Sequence, residues 1–172
     1  MIKIILLKLS KANRFLLRNL FTFITKYRVG NYKGKIVVNY FSNIGSNVFL
    51  GENCNFNGIE ISNGGKVTIG NNFHSGKNIR FIVQYHNYEG EQIPYDNTYV
   101  NKDINIEDNV WLGHNVIVLG GVKIGEGAII QAGSVVSKSI PKLAIAGGNP
   151  ATPFKYRNED HYYKLKAERK FN

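Results

Sequence analysis

Four histidines, at positions 74, 86, 114 and 161, and one cysteine, Cys54, are the side chains in this 172-residue sequence best suited to proton transfer or nucleophilic attack. An imidazole titrates near neutrality, so a positioned histidine can take the proton of a hydroxyl, which without a base is a poor nucleophile. A single cysteine excludes an intramolecular disulfide and fits a reducing setting. Metal chemistry is not expected, because no HxxxH or CxxC spacing occurs. Phosphate-loop and dinucleotide glycine motifs are absent as well. His86 stands apart from the other three. It opens "HNYEGEQIPYDNTYVNKD", residues 86–103, the one long stretch of the body without a repeat.

The surrounding elements must position these groups, and their signature is a period of six. Ile104, Val110, Val116, Val122, Ala128, Ser134 and Ile140 share one phase; Ile106, Leu112, Val118, Ile124, Ile130 and Val136 share another, two residues on. Six is too long for a helical turn and too regular for hairpins. Very short strands joined by tight turns satisfy it, and three of them close a triangular coil of about 18 residues. The fold expected is all-β, a left-handed parallel β-helix of hexapeptide repeats, with a basic N-terminal helix and a short C-terminal helix. Glycine and asparagine supply the positive φ at the corners. An earlier frame runs Ile36, Ser42, Val48, Cys54, slips by one residue near Gly58, and resumes as Ile61, Val67, Phe73, Ile79, Tyr85. From Ile104 to Ile140 the frame is expected to hold without a slip. Residues 86–103 read as a loop, "PKLAIAGGNPATPFKYR" as extended and turn-rich, and 159–171 as a terminal helix. Three parts follow: 1–30, a basic amphipathic helical segment; 31–157, the β-helix with its insertion at 86–103; and 158–172, a helical tail. Ile117, Leu119, Ile129 and Val135 are apolar at outward positions, which predicts packing against further copies about a threefold axis, a homotrimer.

The net charge of +10 is uneven. Nine basic residues (Lys3, Lys8, Lys11, Arg14, Arg18, Lys26, Arg28, Lys33, Lys35) precede the first acid, Glu52, which leaves the rest of the chain nearly neutral. This excludes a generally basic nucleic-acid-binding surface and gives the N-terminal segment its own partner. Residues 2–27 read as one helix or a broken pair, without the roughly 20 apolar residues needed to span a bilayer. Two partners suit it: the protein's own body or another subunit, or an anionic membrane contacted peripherally through residues 1–28. No secretory signal pattern is present, so a cytoplasmic location is expected, peripheral at the inner membrane face if the helix binds lipid.

The stretch "VWLGHNVIVLGGVKIGEGAIIQAGSVVSKSIPKLAIAGGNPA" resembles the hexapeptide-repeat acyltransferases, above all the sugar O-acetyltransferases of galactoside, maltose and capsule-modifying type. The resemblance covers residues 36–157. Its most specific parts are "NVWLG", "QAGSVVSKSIP" and "GGNPA". It implies an acetyl-CoA donor and a saccharide acceptor, with the site between subunits. It implies that His86 is the general base. Ala132 would offer backbone contacts to the donor, and the backbone of His114 would line its cleft. Ser137, Lys138 and Lys155 would sit near the adenosine end, Lys155 where the family often has arginine and bidentate phosphate binding. Trp111 matches the common tryptophan, as a cleft wall or as packing at the subunit boundary. "CNFNGIEISNGGKVTIG" places Asn57 and Asn63 as acceptor contacts, though asparagine at a corner is also simply a turn residue.

The function that follows is acetyl-CoA-dependent O-acetylation of a sugar hydroxyl, in capsule, O-antigen or exopolysaccharide synthesis. N-acetylation of a nucleotide-linked amino sugar is a rival, although such enzymes often carry an extra N-terminal domain. Acetylation of a streptogramin or chloramphenicol is another. A non-catalytic β-helix used for binding or scaffolding is a rival of a different class.

Overall fold

The computed structural model describes residues 2–172, with side chains described from residue 11 onward. Helix α1, Ile2–Arg28, is continuous, without a break. It is followed by a left-handed parallel β-helix of about six turns. Strands of two to four residues alternate buried and outward positions, as in Val48–Leu50, Ile59–Ile61 and Ile104–Ile106. Where the coil is regular, partners along the stack are 18 residues apart: Ile36 with Cys54, Trp111 with Ile129, Ile117 with Val135. One or two inward side chains per strand fill the prism, and its interior is one cluster dominated by Ile, Val, Leu, Phe and Ala. That burial drives the fold, at about 25 cal/mol per Å² of apolar surface removed from water.

Three faces result. Face one carries Ile36–Val38, Cys54–Phe56, His74–Ser75, Trp111–Leu112, Ile129–Ile130 and the antiparallel hairpin Ala144–Gly148 with Ala151–Tyr156. Face two carries Ile59–Ile61, Ile79–Ile82, Ile117–Leu119 and Val135–Val136. Face three carries Asn31–Tyr32, Val48–Leu50, Val67–Ile69, Ile104–Ile106 and Lys123–Ile124. The edge between faces three and one is built on asparagines at positive φ, Asn53, Asn72 and Asn109. Their amides form a ladder, Asn53 Nδ2 donating to Asn72 Oδ1 (3.1 Å) and Asn72 Nδ2 to Asn109 Oδ1 (2.9 Å). Helix α2, Glu159–Ala167, closes on this edge, where Asn109 Nδ2 donates to the Tyr162 hydroxyl (2.8 Å), which donates to Glu126 Oε1 (2.8 Å). Asn158 caps α2 by accepting from the His161 N–H at 2.7 Å.

Five sequence expectations need correction. The slip near Gly58 is two events. Strand starts advance by five residues from Cys54 to Ile59 and by eight from Ile59 to Val67, so a shortened corner at Gly58 is followed by a lengthened one at 62–66. The last coil is also short. Ile140 pairs with Ile124, 16 residues back, and the Lys123 N–H is taken by Ser139 Oγ (2.9 Å) in place of a strand carbonyl. Tyr85 does not point into the prism; Val83 is the last inward residue before the insertion. The insertion itself is not a plain loop. Gln84–His86 pairs antiparallel with Tyr99–Asn101, forming an arm that leaves the edge between faces two and three. Helix α2 ends at Ala167, short of the expected 171.

Candidate active site

The arm exists because the solenoid makes room for it. At Gly65 an added Cβ would stand 2.5 Å from the Lys102 carbonyl oxygen, and at Gly120, two coils up, 2.7 Å from the same atom. The returning strand therefore passes between two glycines that no other residue could replace without displacing it. Inside the arm, Asp96 accepts from both the N–H and the hydroxyl of Thr98, and these bonds, the hydroxyl first, hold its carboxyl below the usual carboxylate range. Asn87 N–H donates to the Thr98 carbonyl at 3.1 Å. This knitting fixes two tyrosines around His86. The Tyr95 ring lies nearly parallel to the imidazole (centroids 3.9 Å, 14°), and the Tyr99 ring is tilted beside it (4.8 Å, 35°). His86 is exposed, and its imidazole makes no hydrogen bond among the described residues, so both ring nitrogens remain available to a reacting group. A histidine held by ring stacking, at the tip of a strand and open to solvent, can serve as a general base. Tyr95 and Tyr99 were not singled out from the sequence. The density of tyrosine in the insertion was the available signal.

The remaining candidates fall in three places. On the arm edge, below and above the arm, are Asn63 and then Ser137 and Lys138, all exposed. The edge between faces one and two carries Asn57, His114 and Ala132. Here coil packs on coil at backbone contact: a Cβ on Gly113 would stand 2.5 Å from the Ala132 nitrogen. His114 braces this edge, its Nδ1 accepting from the Lys77 N–H (2.9 Å) and its carbonyl from the Gly133 N–H (2.8 Å). Ala132 is different. It is exposed, its own N–H and C=O have no partner among the described residues, and a Cβ on the neighbouring Gly133 would meet nothing within 4 Å. An open shelf with unpaired peptide groups fits an amide-bearing chain such as pantetheine. Asn57 is committed to the corner: its Nδ2 donates to the Ser75 carbonyl (2.7 Å), and its Oδ1 accepts from Asn39 (2.9 Å).

Trp111 and Lys155 lie on the outer side of face one. Trp111 is exposed there, in register with His74 and Ile129, and Lys155 pairs with Ile145. Burial lowers the His74 pKa, favouring the neutral imidazole. In a single chain the structure brings Asn63, His86, Ser137 and Lys138 to one edge and His114 and Ala132 to the next. Face two, with Ile117, Leu119 and Val135 half-buried, lies between them. A cavity of about 210 Å³ beneath α2, lined by His74, Asn109, Arg157, Tyr162 and Lys166, touches none of the predicted site residues.

Comparison with known proteins adds the following. The bacterial transferase hexapeptide family (six repeats) matches residues 103–138. The galactoside O-acetyltransferase of Escherichia coli is 38% identical over 128 residues, 72% of this chain and 62% of that protein. The crystal structure of a maltose O-acetyltransferase from Clostridium difficile shares 32% identity over 75% of this chain and 67% of that one, with a TM-score of 0.61. A galactoside acetyltransferase solved in complex with coenzyme A superimposes with a TM-score of 0.65 at 27% identity, over 80% of this chain and 70% of that one. The chain spans roughly half to three fifths of the length of the curated relatives it matches.

Proposed function

This chain belongs to the hexapeptide-repeat acyltransferase family, and on that footing we propose that it transfers the acetyl group of acetyl-CoA to a hydroxyl of a saccharide. The observation that carries this reading is His86: exposed, its imidazole uncommitted in hydrogen bonding and fixed between two tyrosine rings at the solenoid's edge. In the reaction the imidazole takes the proton of the acceptor hydroxyl as its oxygen attacks the thioester carbonyl carbon. The new C–O bond forms, the C–S bond breaks, and the imidazolium returns the proton to the leaving thiolate. Ala132 holds the donor's amide chain through its unpaired peptide groups, and Lys138 and Lys155 supply positive charge for its phosphates. Ser137 lies beside Lys138, Trp111 walls the cleft, and Asn63, at the foot of the arm, contacts the acceptor.

His86 and Ala132 stand on different edges of one chain, which favours a site completed between subunits of a homotrimer. The half-buried apolar row Ile117, Leu119 and Val135 on face two supports that packing. The acceptor is a surface polysaccharide or its precursor, of the capsule, O-antigen or exopolysaccharide class, and the enzyme works in the cytoplasm. Free-thiol release from acetyl-CoA, measured against a panel of mono- and oligosaccharides and nucleotide-linked sugars, tests the reading. Thiol release dependent on a hydroxyl acceptor, with an ester product by mass spectrometry, is expected. Release only with amino sugars, giving an amide, would replace it by N-acetylation.

A further inference from the structure

Helix α1 crosses the open end of the first coil, and its two sides differ in kind. Toward the solenoid, Thr22 Oγ1 accepts the otherwise free edge N–H of Val38 (3.0 Å), Thr25 is buried, and Phe21 and Val29 pack on the core. The Phe21 ring meets Phe41 edge-on at 6.1 Å. The opposite side is apolar and open. Leu16 is 65% exposed, Leu20 50%, Phe23 70% and Tyr27 87%. At 3.6 residues per turn these four fall within about 60° of one another, facing away from Arg18, Thr22 and Thr25. Four such side chains in one row are more than a lone exposed leucine, and mark a partner surface.

The charge pattern identifies the partner. Lys11, Arg14, Lys26 and Arg28 are exposed along the same helix, and Lys33 and Lys35 follow it. No acid precedes Glu52. A second copy laid on this face would bring an identical cationic helix against it, and like-charge juxtaposition opposes that pairing. An anionic surface with an apolar interior satisfies both halves of the helix: the apolar row enters the acyl boundary while the cations lie within a Debye length of the headgroups. No helix among the described residues is long and apolar enough to cross a membrane, so the contact is one of lying on the surface. We propose that α1 docks the coil end of this protein onto an anionic lipid bilayer, with Leu16, Leu20, Phe23 and Tyr27 seated in the interface. This stands independently of the acyltransferase reading.

Flotation of the full chain with vesicles, in parallel with sedimentation velocity, tests the proposal without any activity readout. The protein should float with vesicles of three parts phosphatidylcholine to one part phosphatidylglycerol, and much less with phosphatidylcholine alone. The variant L16S/L20S/F23S should lose binding by at least about tenfold, with circular dichroism and sedimentation coefficient unchanged, because those side chains point away from the core. Lys11→Gln with Lys26→Gln should weaken binding to the anionic vesicles by roughly 25-fold, given about fivefold per cation near such a surface. No flotation of the wild type on anionic vesicles, or equal flotation of L16S/L20S/F23S, overturns the proposal. So does a smaller sedimenting species for that variant, which would assign the face to a second copy.

Discussion

Replacing Tyr95 by alanine removes the ring that lies 3.9 Å from His86 at 14°. An aromatic pair of this kind contributes about 0.5–1.5 kcal/mol beyond its buried area. His86 is exposed and makes no other directional contact except with the tilted Tyr99 ring, so that energy is what holds the imidazole in one rotamer. Its loss spreads the side chain over several staggered wells. The fraction in the productive one falls by roughly 2- to 12-fold, the same energy expressed as a population ratio. The expected result for Tyr95→Ala is a fall of that size in kcat, with KM for acetyl-CoA unchanged, because the peptide groups proposed to hold the donor, at Ala132, lie on another edge. The loss should be of similar size across the active pH range, since what changes is the orientation of the base. Tyr95→Phe keeps the ring and should behave like the wild type. Steady-state kinetics of the two variants side by side are the assay. An unchanged kcat in Tyr95→Ala would show that the stacking does nothing for catalysis. A loss in Tyr95→Phe as large as in Tyr95→Ala would move the function to the hydroxyl and refute the argument from ring contact.

Other consequences can be measured on the same protein. Burial is the main reason the Cys54 thiol is pushed up to about 12 from 9.0, so the native protein should not react with a thiol reagent at pH 8 and should react fully in denaturant. Because the folded thiol holds its proton more tightly than the unfolded one, its contribution to stability is intact below pH 9.0 and is lost as pH rises toward 12; Cys54→Ala should flatten that alkaline decline in a chemical-denaturation series. A Cβ at Gly113 collides with the backbone at Ala132, so Gly113→Ala should cost about 1–3 kcal/mol and lower Tm by roughly 3–10 °C. The same variant should raise KM for acetyl-CoA more than it lowers kcat, a split that steady-state kinetics will read. Ile117→Asp, placing a charge in the apolar row of face two, should dissociate a homotrimer, seen as a smaller species by sedimentation; an unchanged coefficient would remove face two from the interface.

The solenoid was legible because its period is set by geometry that every coil repeats. From Ile104 to Val136 every residue of the two apolar phases is buried, and the corner asparagines announce positive φ. His114 and Ala132 could be placed on one edge by counting a single coil of 18 residues. Asn57 and Asn63 could not, because the corners at 57–58 and 62–66 change length in opposite directions and nearly cancel in the sequence. Tyr85 fits the inward period and still lies outside, since its strand pairs with Tyr99–Asn101 rather than with the coil below. Antiparallel pairing within an insertion leaves no trace at period six. The stacking of Tyr95 and Tyr99 on His86 depends on that pairing, so it was hidden for the same reason. Ile140 keeps its apolar identity and its burial while changing register, which composition alone does not reveal.

The central claim is that His86 removes the proton from the acceptor hydroxyl. The direct test is the pH dependence of acceptor-dependent acetyl transfer by His86→Ala beside the wild type, with binding of coenzyme A measured on both. The wild-type rate should show an acid limb, because a protonated base cannot take the hydroxyl's proton. In His86→Ala the rate should fall by roughly 10²–10⁴ and that limb should vanish, with coenzyme A affinity and Tm nearly unchanged. His74→Ala, His114→Ala and His161→Ala should each lose far less. Near wild-type turnover by His86→Ala on the same acceptor would contradict the account.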